Sequence, residues 1–291
     1  MRSNLKAALA DTLEPNELEL LYKSYDVVGD IAIIRIPDTL EHRSRIIAEA
    51  IMQTQKHVKT VLRQASPIFG DLRLRRVEWI VGEKTLEAVH KEHGCLFKVD
   101  LGRCYFSPRL SHERMRIGQQ VQPGEVIVNM FSGVGCFSIA IAKHSAAEKV
   151  YSIDVNPVAV SYMKENIRLN KVVGRVVPIE SDAKNAIEEN LQNVADRVLM
   201  PLPERAYEYL EYAVQALKPN GGRIHYYGFE HARKGENPVE KLRTKVTDRL
   251  RNLNVEPEIS FGRTVRTTGP NWYQVVSDIQ SKRISGSSQP I

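Results

Sequence analysis

Apolar positions along the chain change their period twice. From Asn4 to Leu13 and from Asn16 to Lys23 they recur at helical spacing, whereas Val27 to Ile36 is an apolar run broken only by Gly29-Asp30, which predicts a hairpin. Leu40 to Gln53 returns to helical spacing. Val58 to Arg63, Leu72 to Val81 and Cys95 to Val99 each have the alternation or the β-branched content of a strand. This part predicts a mixed α+β unit with at least four strands. Residues 108 to 120 predict a basic helix opened by Pro108, which has no N–H to lose at a first helical position.

After the turn Gln122-Pro123-Gly124 the rhythm becomes strand, helix, strand, helix. The segments are Val126 to Met130, Phe137 to Lys143, Lys149 to Ile153, Pro157 to Leu169, Arg175 to Glu180, Arg197 to Met200, Arg205 to Leu217, Gly222 to Tyr227 and Pro238 to Leu253. Alternation at these lengths predicts a mostly parallel sheet covered on both faces. The expected fold class is α/β, a doubly wound Rossmann-like domain preceded by a smaller α+β domain. The expected boundaries are 1–105 for the first domain, 106–122 for a linking helix, 123–282 for the second domain and 283–291 for a disordered tail.

With 42% hydrophobic and 26% charged residues, 291 residues can bury a sizeable core. No apolar run reaches the roughly 20 residues that cross a bilayer, and the opening stretch lacks the apolar core of a secretory signal, so a cytoplasmic protein without membrane contact is expected. Cys95, Cys104 and Cys136 are too few and too scattered for a disulfide framework, and no Cys/His spacing suggests a metal. Charge adds one feature. Residues 41 to 120 hold 15 Lys and Arg against 9 Asp and Glu, so the whole formal excess of +6 falls before the parallel-sheet region. A localised basic excess suits a polyanion, because Lys and Arg gain by releasing counterions from a phosphate backbone.

The candidate chemistry begins at Val126-Ile-Val-Asn-Met-Phe-Ser-Gly-Val-Gly-Cys-Phe137, an apolar strand that enters a glycine turn and then a helix. Gly133 and Gly135 let the backbone approach a ligand while the helix aims its N–H groups at it. Such a turn serves NAD, flavin or S-adenosylmethionine, or no ligand at all. A second strand, Val150-Tyr-Ser-Ile-Asp-Val-Asn-Pro157, places Asp154 about twenty residues later, where a carboxylate accepts both ribose hydroxyls of a nucleoside. Ser138 occupies the third glycine position of a dinucleotide motif, so the pair of signals favours S-adenosylmethionine over NAD. Asn156 is a candidate near the adenine. Asp182 either bonds the adenine amino group or caps the following helix. The stiff turn Met200-Pro-Leu-Pro203 follows the fourth strand, on the ligand side of such a sheet.

Together, Phe106-Ser-Pro-Arg109, Glu113-Arg114, Met130-Phe-Ser-Gly-Val-Gly135, Asp154-Val-Asn-Pro157, Glu165-Asn-Ile-Arg-Leu-Asn170, Asp196-Arg-Val-Leu-Met-Pro-Leu-Pro203 and Ile224-His-Tyr-Tyr227 resemble the archaeal and eukaryotic tRNA (guanine-37-N1)-methyltransferase family, over about Val58 to Asp278. The resemblance implies a class I methyltransferase domain, S-adenosylmethionine as cofactor, methyl transfer to N1 of guanosine 37, and the anticodon arm of tRNA as partner of a monomer that uses no metal. It implies Glu113 as the base for the N1 proton, although Glu113 also reads as a surface residue paired with Arg109 or Arg116. Arg73 and Arg109 join it in the catalytic set. Either Arg73 or Arg75 is implied to face O6 of the guanine and the other a phosphate, the alternative being ordinary solvation of an exposed strand. Phe131, Gly133, Gly135, Asp154, Val155, Asn156, Asp182, Met200 and Pro201 are implied around the cofactor. Arg75, Arg76, Arg114 and Pro203 are implied against the tRNA.

A related family, the aminocarboxypropyl transferase of wybutosine synthesis, carries Glu-Lys-Asp-Pro where this chain has Asp154-Val-Asn-Pro157. Three departures from the methyltransferase pattern stand out. The Met200 to Pro203 turn has no Asn to hold the target base, Asn129 replaces an Asp before the glycine turn, and an N-terminal domain of many archaeal members is expected to be missing. The first two leave room for a degenerate member that binds without catalysing. Trp272 and Tyr273, in a segment matching the family's closing hairpin, either stack on a base or belong to the core.

Overall fold

The computed structural model describes residues 5–70 and 72–283. Helices α1 (Leu5–Ala8) and α2 (Pro15–Leu20) lead into the hairpin of β1 (Asp26–Val28) and β2 (Ile31–Ile34), and α3 (Ser44–Thr54) then crosses to β3 (Thr60–Gln64) and β4 (Val77–Gly82). The four strands form one sheet in the order β1-β2-β3-β4, with β2 and β3 parallel because the helix between them carries the chain back to the same end. Ile47 and Ile51 of α3 are fully buried with Ile34, Leu40 and Val61. Each isoleucine contributes about 2–3 kcal/mol by leaving water.

A separate hairpin of β5 (Glu87–Glu92) and β6 (Cys95–Asp100) follows. The second part runs α4 (Ser111–Gln120), β7 (Val126–Asn129), α5 (Cys136–His144), β8 (Lys149–Asp154), α6 (Pro157–Leu169), β9 (Val176–Glu180), α7 (Ala183–Ala186), β10 (Arg197–Met200), α8 (Leu210–Ala216), β11 (Gly222–His231), α9 (Pro238–Asn252), β12 (Val255–Gly269) and β13 (Trp272–Arg283). Its sheet has the order β12-β13-β11-β10-β7-β8-β9. Strands β11 to β9 are parallel, and β13 and β12 are antiparallel additions at one edge. The strand order reverses at β7, and a doubly wound sheet opens its ligand crevice at that point.

The edge of β6 is satisfied by side chains. Asn170 and Asn166, one helical turn apart, accept from the N–H groups of Leu96 (2.9 Å) and Lys98 (2.7 Å) and donate to the same residues' carbonyls. Two amides thus stand in for a neighbouring strand, and buried backbone groups need some such partner. This gives the Glu165 to Asn170 motif a structural role.

The expected α/β class and the parallel sheet stand. Differences lie at the margins. β4 starts at Val77 instead of Leu72, because Arg73 sits in the left-handed region (φ 54°) and Phe69 pairs back onto Leu74, bending the chain into a turn. β5, α7 and the length of the β12–β13 ribbon were not expected, and the helix expected from Arg205 begins at Leu210. Asn4, Asp71 and residues 284–291, which include nearly all of the expected tail, lie outside the described residues. No described helix is long and apolar enough to cross a membrane.

Candidate active site

The carboxyl ends of β7, β8 and β10 open into a cavity of about 200 Å³. One wall is the glycine turn. Gly133 (φ 55°) and Gly135 (φ 91°) are both left-handed, and a Cβ on Gly135 would stand 2.9 Å from Met163 Cγ. The turn therefore needs glycine at 135 for conformation and space together. Gly135 caps α5, whose N–H groups face the opening.

Asp154 ends β8 at the cavity wall. Its Oδ2 accepts from the Gly133 N–H (2.6 Å) and its Oδ1 from the Asn156 N–H (2.9 Å), so the carboxylate braces the glycine turn. Among the described residues no cation pairs with it, and burial pushes its pKa above the ordinary 3.8. A desolvated carboxylate with spare lone pairs at the end of the second strand fits ribose hydroxyls. Asp182 also lines the cavity; its Oδ1 caps α7 through Lys184 N–H (2.7 Å) and its Oδ2 accepts from the Tyr209 hydroxyl (2.7 Å). Cap and cavity wall are the same residue. These groups fit the adenosine half of S-adenosylmethionine.

Other expected cofactor positions divide. Phe131, Val155 and Pro201 line the cavity, Phe131 packing edge-on against Tyr209 at 5.3 Å. Asn156 lines it too, but its side chain is engaged: Oδ1 caps α6 and Nδ2 donates to Arg103 O at 2.8 Å. Met200 is fully buried in the core and does not line the cavity. Adjacent strand residues face opposite sides, so Met200 points away while Pro201 turns in. Pro203 is likewise buried and off the cavity wall. Asn129 is buried behind the turn, donating to Ser138 Oγ (3.0 Å), and its own Oδ1 has no partner.

Glu113 is 1% exposed and is not among the cavity's lining residues. Its Oε1 accepts from Arg116 Nε (2.9 Å), Arg116 Nη2 (2.6 Å) and the Tyr227 hydroxyl (2.9 Å), and its Oε2 from Arg263. Although burial opposes charge, these donors hold its pKa below the ordinary range. Arg116 continues to Asp278, which accepts from His225 Nδ1 (2.6 Å); His225 Nε2 meets Arg197 Nη1 (2.6 Å), and Arg197 bonds Glu125 (2.7 Å). Arg197 is a donor, so His225 is neutral with its proton on Nδ1, and burial lowers its pKa. A buried chain of charge thus joins α4, β10, β11 and the β12–β13 ribbon. The pairing of Glu113 with Arg116 was expected, but on the surface; it lies inside the molecule.

Of the expected arginines, Arg73 and Arg114 line the cavity. Arg73 is buried, its guanidinium carbon 4.1 Å from the centre of the Tyr105 ring and its Nε 3.2 Å from Glu204 Oε1, an ion pair without hydrogen-bond alignment at that nitrogen. A left-handed arginine costs on the order of 1 kcal/mol, and here that conformation brings the side chain over the cavity. Arg114 is committed to Glu92 (2.7 Å to each oxygen) and the Ser107 carbonyl (2.9 Å), a structural pairing rather than a free tRNA contact. Arg109 points away from the cavity, bonding Asp26 at 2.7 Å on β1, which removes it from the catalytic set. Arg75 also faces Asp26 (3.9 Å), and Arg76 is exposed.

Four functional candidates escaped the sequence reading. Tyr105 lines the cavity beside the Phe106-Ser-Pro-Arg109 block and Ser107 from within it, Tyr209 also lines it, and Arg266 reaches over from β12 to the Tyr105 hydroxyl (3.2 Å). Adjacency to a motif was the available signal for the first two. Among the described residues no group of three or more His, Cys, Asp or Glu is placed to hold a metal.

Residues 88–255 match the model of the TRM5/TYW2 methyltransferase domain, and residues 5–85 that of the TYW2 N-terminal domain. The chain is 40% identical over 267 residues to tRNA (guanine(37)-N(1))-methyltransferase Trm5b of Pyrococcus abyssi, covering 91% of this chain and 77% of that one. It is also 40% identical to tRNA 4-demethylwyosine(37)-methyltransferase Taw21 of Saccharolobus solfataricus, covering 90% and 95%. Among solved structures, Pyrococcus abyssi Trm5b superposes with a TM-score of 0.83 (39% identity; 93% of this chain, 79% of that one). The complex of aTrm5 with tRNALeu gives 0.80 (34%; 96% and 78%), and TYW2 of M. jannaschii with AdoMet gives 0.67 (28%; 90% and 100%).

Proposed function

Since the chain belongs to the TRM5/TYW2 methyltransferase family, we propose that it transfers a methyl group to N1 of guanosine 37 in tRNA. The observation that carries this reading is the cavity itself, which puts an unpaired ribose-type carboxylate, Asp154, and a buried guanidinium, Arg73, in the walls of one crevice. S-adenosylmethionine supplies an electrophilic methyl group on a sulfonium. Asp154, the glycine turn and Asp182 hold its nucleoside, Phe131 and Pro201 shape the pocket, and Arg73 faces the charge that grows on O6 as N1 loses its proton. Val155, 53% exposed, forms the rim on the adenine side.

Arg75, Arg76 and Arg109 lie on the basic segment outside the cavity and meet the phosphates of the anticodon arm. The reading includes a monomer acting in the cytoplasm. Glu113 we assign a positioning role, because it is buried off the cavity wall and its carboxylate accepts from Arg116, Arg263 and Tyr227.

One observation favours a second substrate. The 40% identity to Taw21 accompanies a Met200 to Pro203 turn without a base-holding Asn, which suits a bulkier 4-demethylwyosine at position 37. Incubation with S-adenosylmethionine labelled in the methyl group and separately in the carboxyl carbon, with guanosine-37 transcripts and with tRNA carrying 4-demethylwyosine, tests all readings. Methyl label in 1-methylguanosine is the expected result. Methyl label only in the tricyclic base replaces guanosine by the second substrate, carboxyl label indicates aminocarboxypropyl transfer, and no label indicates a binding protein.

A further inference from the structure

Strand β11 continues after its neighbour β10 has ended. Met200, the last residue of β10, pairs with Tyr226, so Tyr227 to His231 run on past it by about 16 Å at the usual strand rise. The β12–β13 ribbon goes out with them, Trp272 pairing with both His231 and Gly269. The ribbon tip therefore stands beyond the end of the sheet at which the cavity opens. Side chains alternate along β13, which puts Trp272 and Gln274 on one face and Tyr273 on the other. Gln274 is buried and accepts from Arg266 Nε (2.7 Å), while Arg266 Nη2 reaches the Tyr105 hydroxyl on the cavity wall (3.2 Å). Trp272 thus lies on the ribbon face that meets the cavity wall, two residues further out than Gln274. Tyr273 packs against the buried core, whereas Trp272 is 48% exposed.

The surroundings of this indole are cationic. Arg233 and Lys234 are exposed in the turn after β11, and that turn is tied to the ribbon tip by the Ala232 N–H, which donates to Asn271 O at 2.9 Å. Glu236 of the same turn is occupied by Lys241 (3.2 Å) and the Arg233 N–H (2.7 Å). His231 meets the indole edge to face with ring centres 5.3 Å apart, which steadies it. Phe261, another exposed aromatic of the ribbon, pairs with Asp278 and so lies far down the strand from the tip. A docked protein would need a contiguous apolar patch, and the tip has none. A lone aromatic among cations is instead how single-stranded nucleic acid is held, by a π-face for a base and charge for its backbone. We propose that Trp272 is a stacking platform for an unpaired base of the anticodon loop. Chemistry on a base requires that the base leave its stack, which strips its neighbour of a partner, and Trp272 supplies the missing face beside the cavity. The inference deepens the tRNA reading above and rests on it.

The chain has two tryptophans, Trp79 and Trp272, so Trp79→Phe makes Trp272 the sole indole reporter in an otherwise native protein. Titrating that variant with an anticodon stem-loop transcript carrying guanosine at position 37 should quench its emission, with the same midpoint as the anisotropy of a labelled transcript. Emission that stays constant while the transcript binds overturns the proposal. In the full chain, Trp272→Ala should weaken transcript binding by about 5- to 100-fold while cofactor affinity is retained. Trp272→Phe, which keeps a π-face, should restore most of the loss, and Trp272→Leu, which keeps only apolar area, should not. Equal rescue by leucine would show an apolar or structural contact, as for a docked protein, and overturns stacking. Methyl label entering tRNA without quenching of Trp272 overturns this inference alone. A protein that neither binds the transcript nor labels it removes the functional reading, and the inference with it.

Discussion

Asp154, part-buried, and Glu113, buried, are carboxylates within the same part of the fold, and they have opposite surroundings. Asp154 accepts two backbone N–H groups, meets no cation among the described residues, and is pushed toward its neutral form. Glu113 accepts from two guanidiniums and a phenol and is pulled toward its charged form. A carboxylate whose desolvation is left uncompensated has capacity for a ligand; one saturated by its own chain has given that capacity to the fold. Burial alone does not separate binding residues from structural ones. The identity of the donors does.

The comparison breaks most visibly in stability. Glu113→Ala leaves Arg116 and Arg263 without a shared anion and should cost about 3–5 kcal/mol in urea unfolding at pH 7. A loss under about 1 kcal/mol would show that the network is not structural. The pH dependence has a definite sign. Glu113 folds with a pKa below the ordinary 4.5, so its contribution is complete above that pH and disappears as pH falls through the lower folded value. Glu113→Gln should flatten the acid limb of the stability curve.

Asp154→Ala should act on the ligand instead. Losing hydrogen bonds from both ribose hydroxyls to a charged group amounts to about 3 kcal/mol, or on the order of 100-fold in cofactor affinity by calorimetry. Because its pKa is raised, wild-type affinity should begin to fall at a pH above 3.8 as the carboxylate is protonated. Unchanged affinity would place the nucleoside elsewhere. The smallest effect is expected at Arg109, whose bond to Asp26 lies at the surface. Arg109→Ala should change stability by less than about 1 kcal/mol and methyl transfer by less than roughly threefold; a loss of two orders of magnitude would return it to the catalytic set.

How far the sequence could be read follows from the range of the interactions involved. The parallel strands announce themselves because strands buried on both faces are continuous apolar runs, as in Val126 to Val128 and Val198 to Met200. Strand β5 does not, since Glu87-Ala-Val-His-Lys-Glu92 buries little beyond Ala88 on one face. The glycine turn and Asp154 are local signals and were legible. Met200 was misplaced because a motif names neighbours in the chain while a strand sends neighbours to opposite sides. The resemblance implied a reacting role for Glu113, whereas its partners Tyr227 and Arg263, 114 and 150 residues away, lie beyond what spacing reveals. Tyr105 stands next to a motif, but the guanidiniums around it come from other elements.

The ion pair between Arg116 and Asp278 spans 162 residues of chain. Strand β13, which carries Asp278, slots between β11 and β12, so the sheet's penultimate position is filled by the last of the described strands. During synthesis Arg116 and His225 are therefore made before Asp278, which accepts from both. Contacts of such long separation form late and slowly. A nascent chain halted before residue 278 presents the crevice at the ends of β7, β8 and β10 with Arg116 lacking one of its two carboxylates.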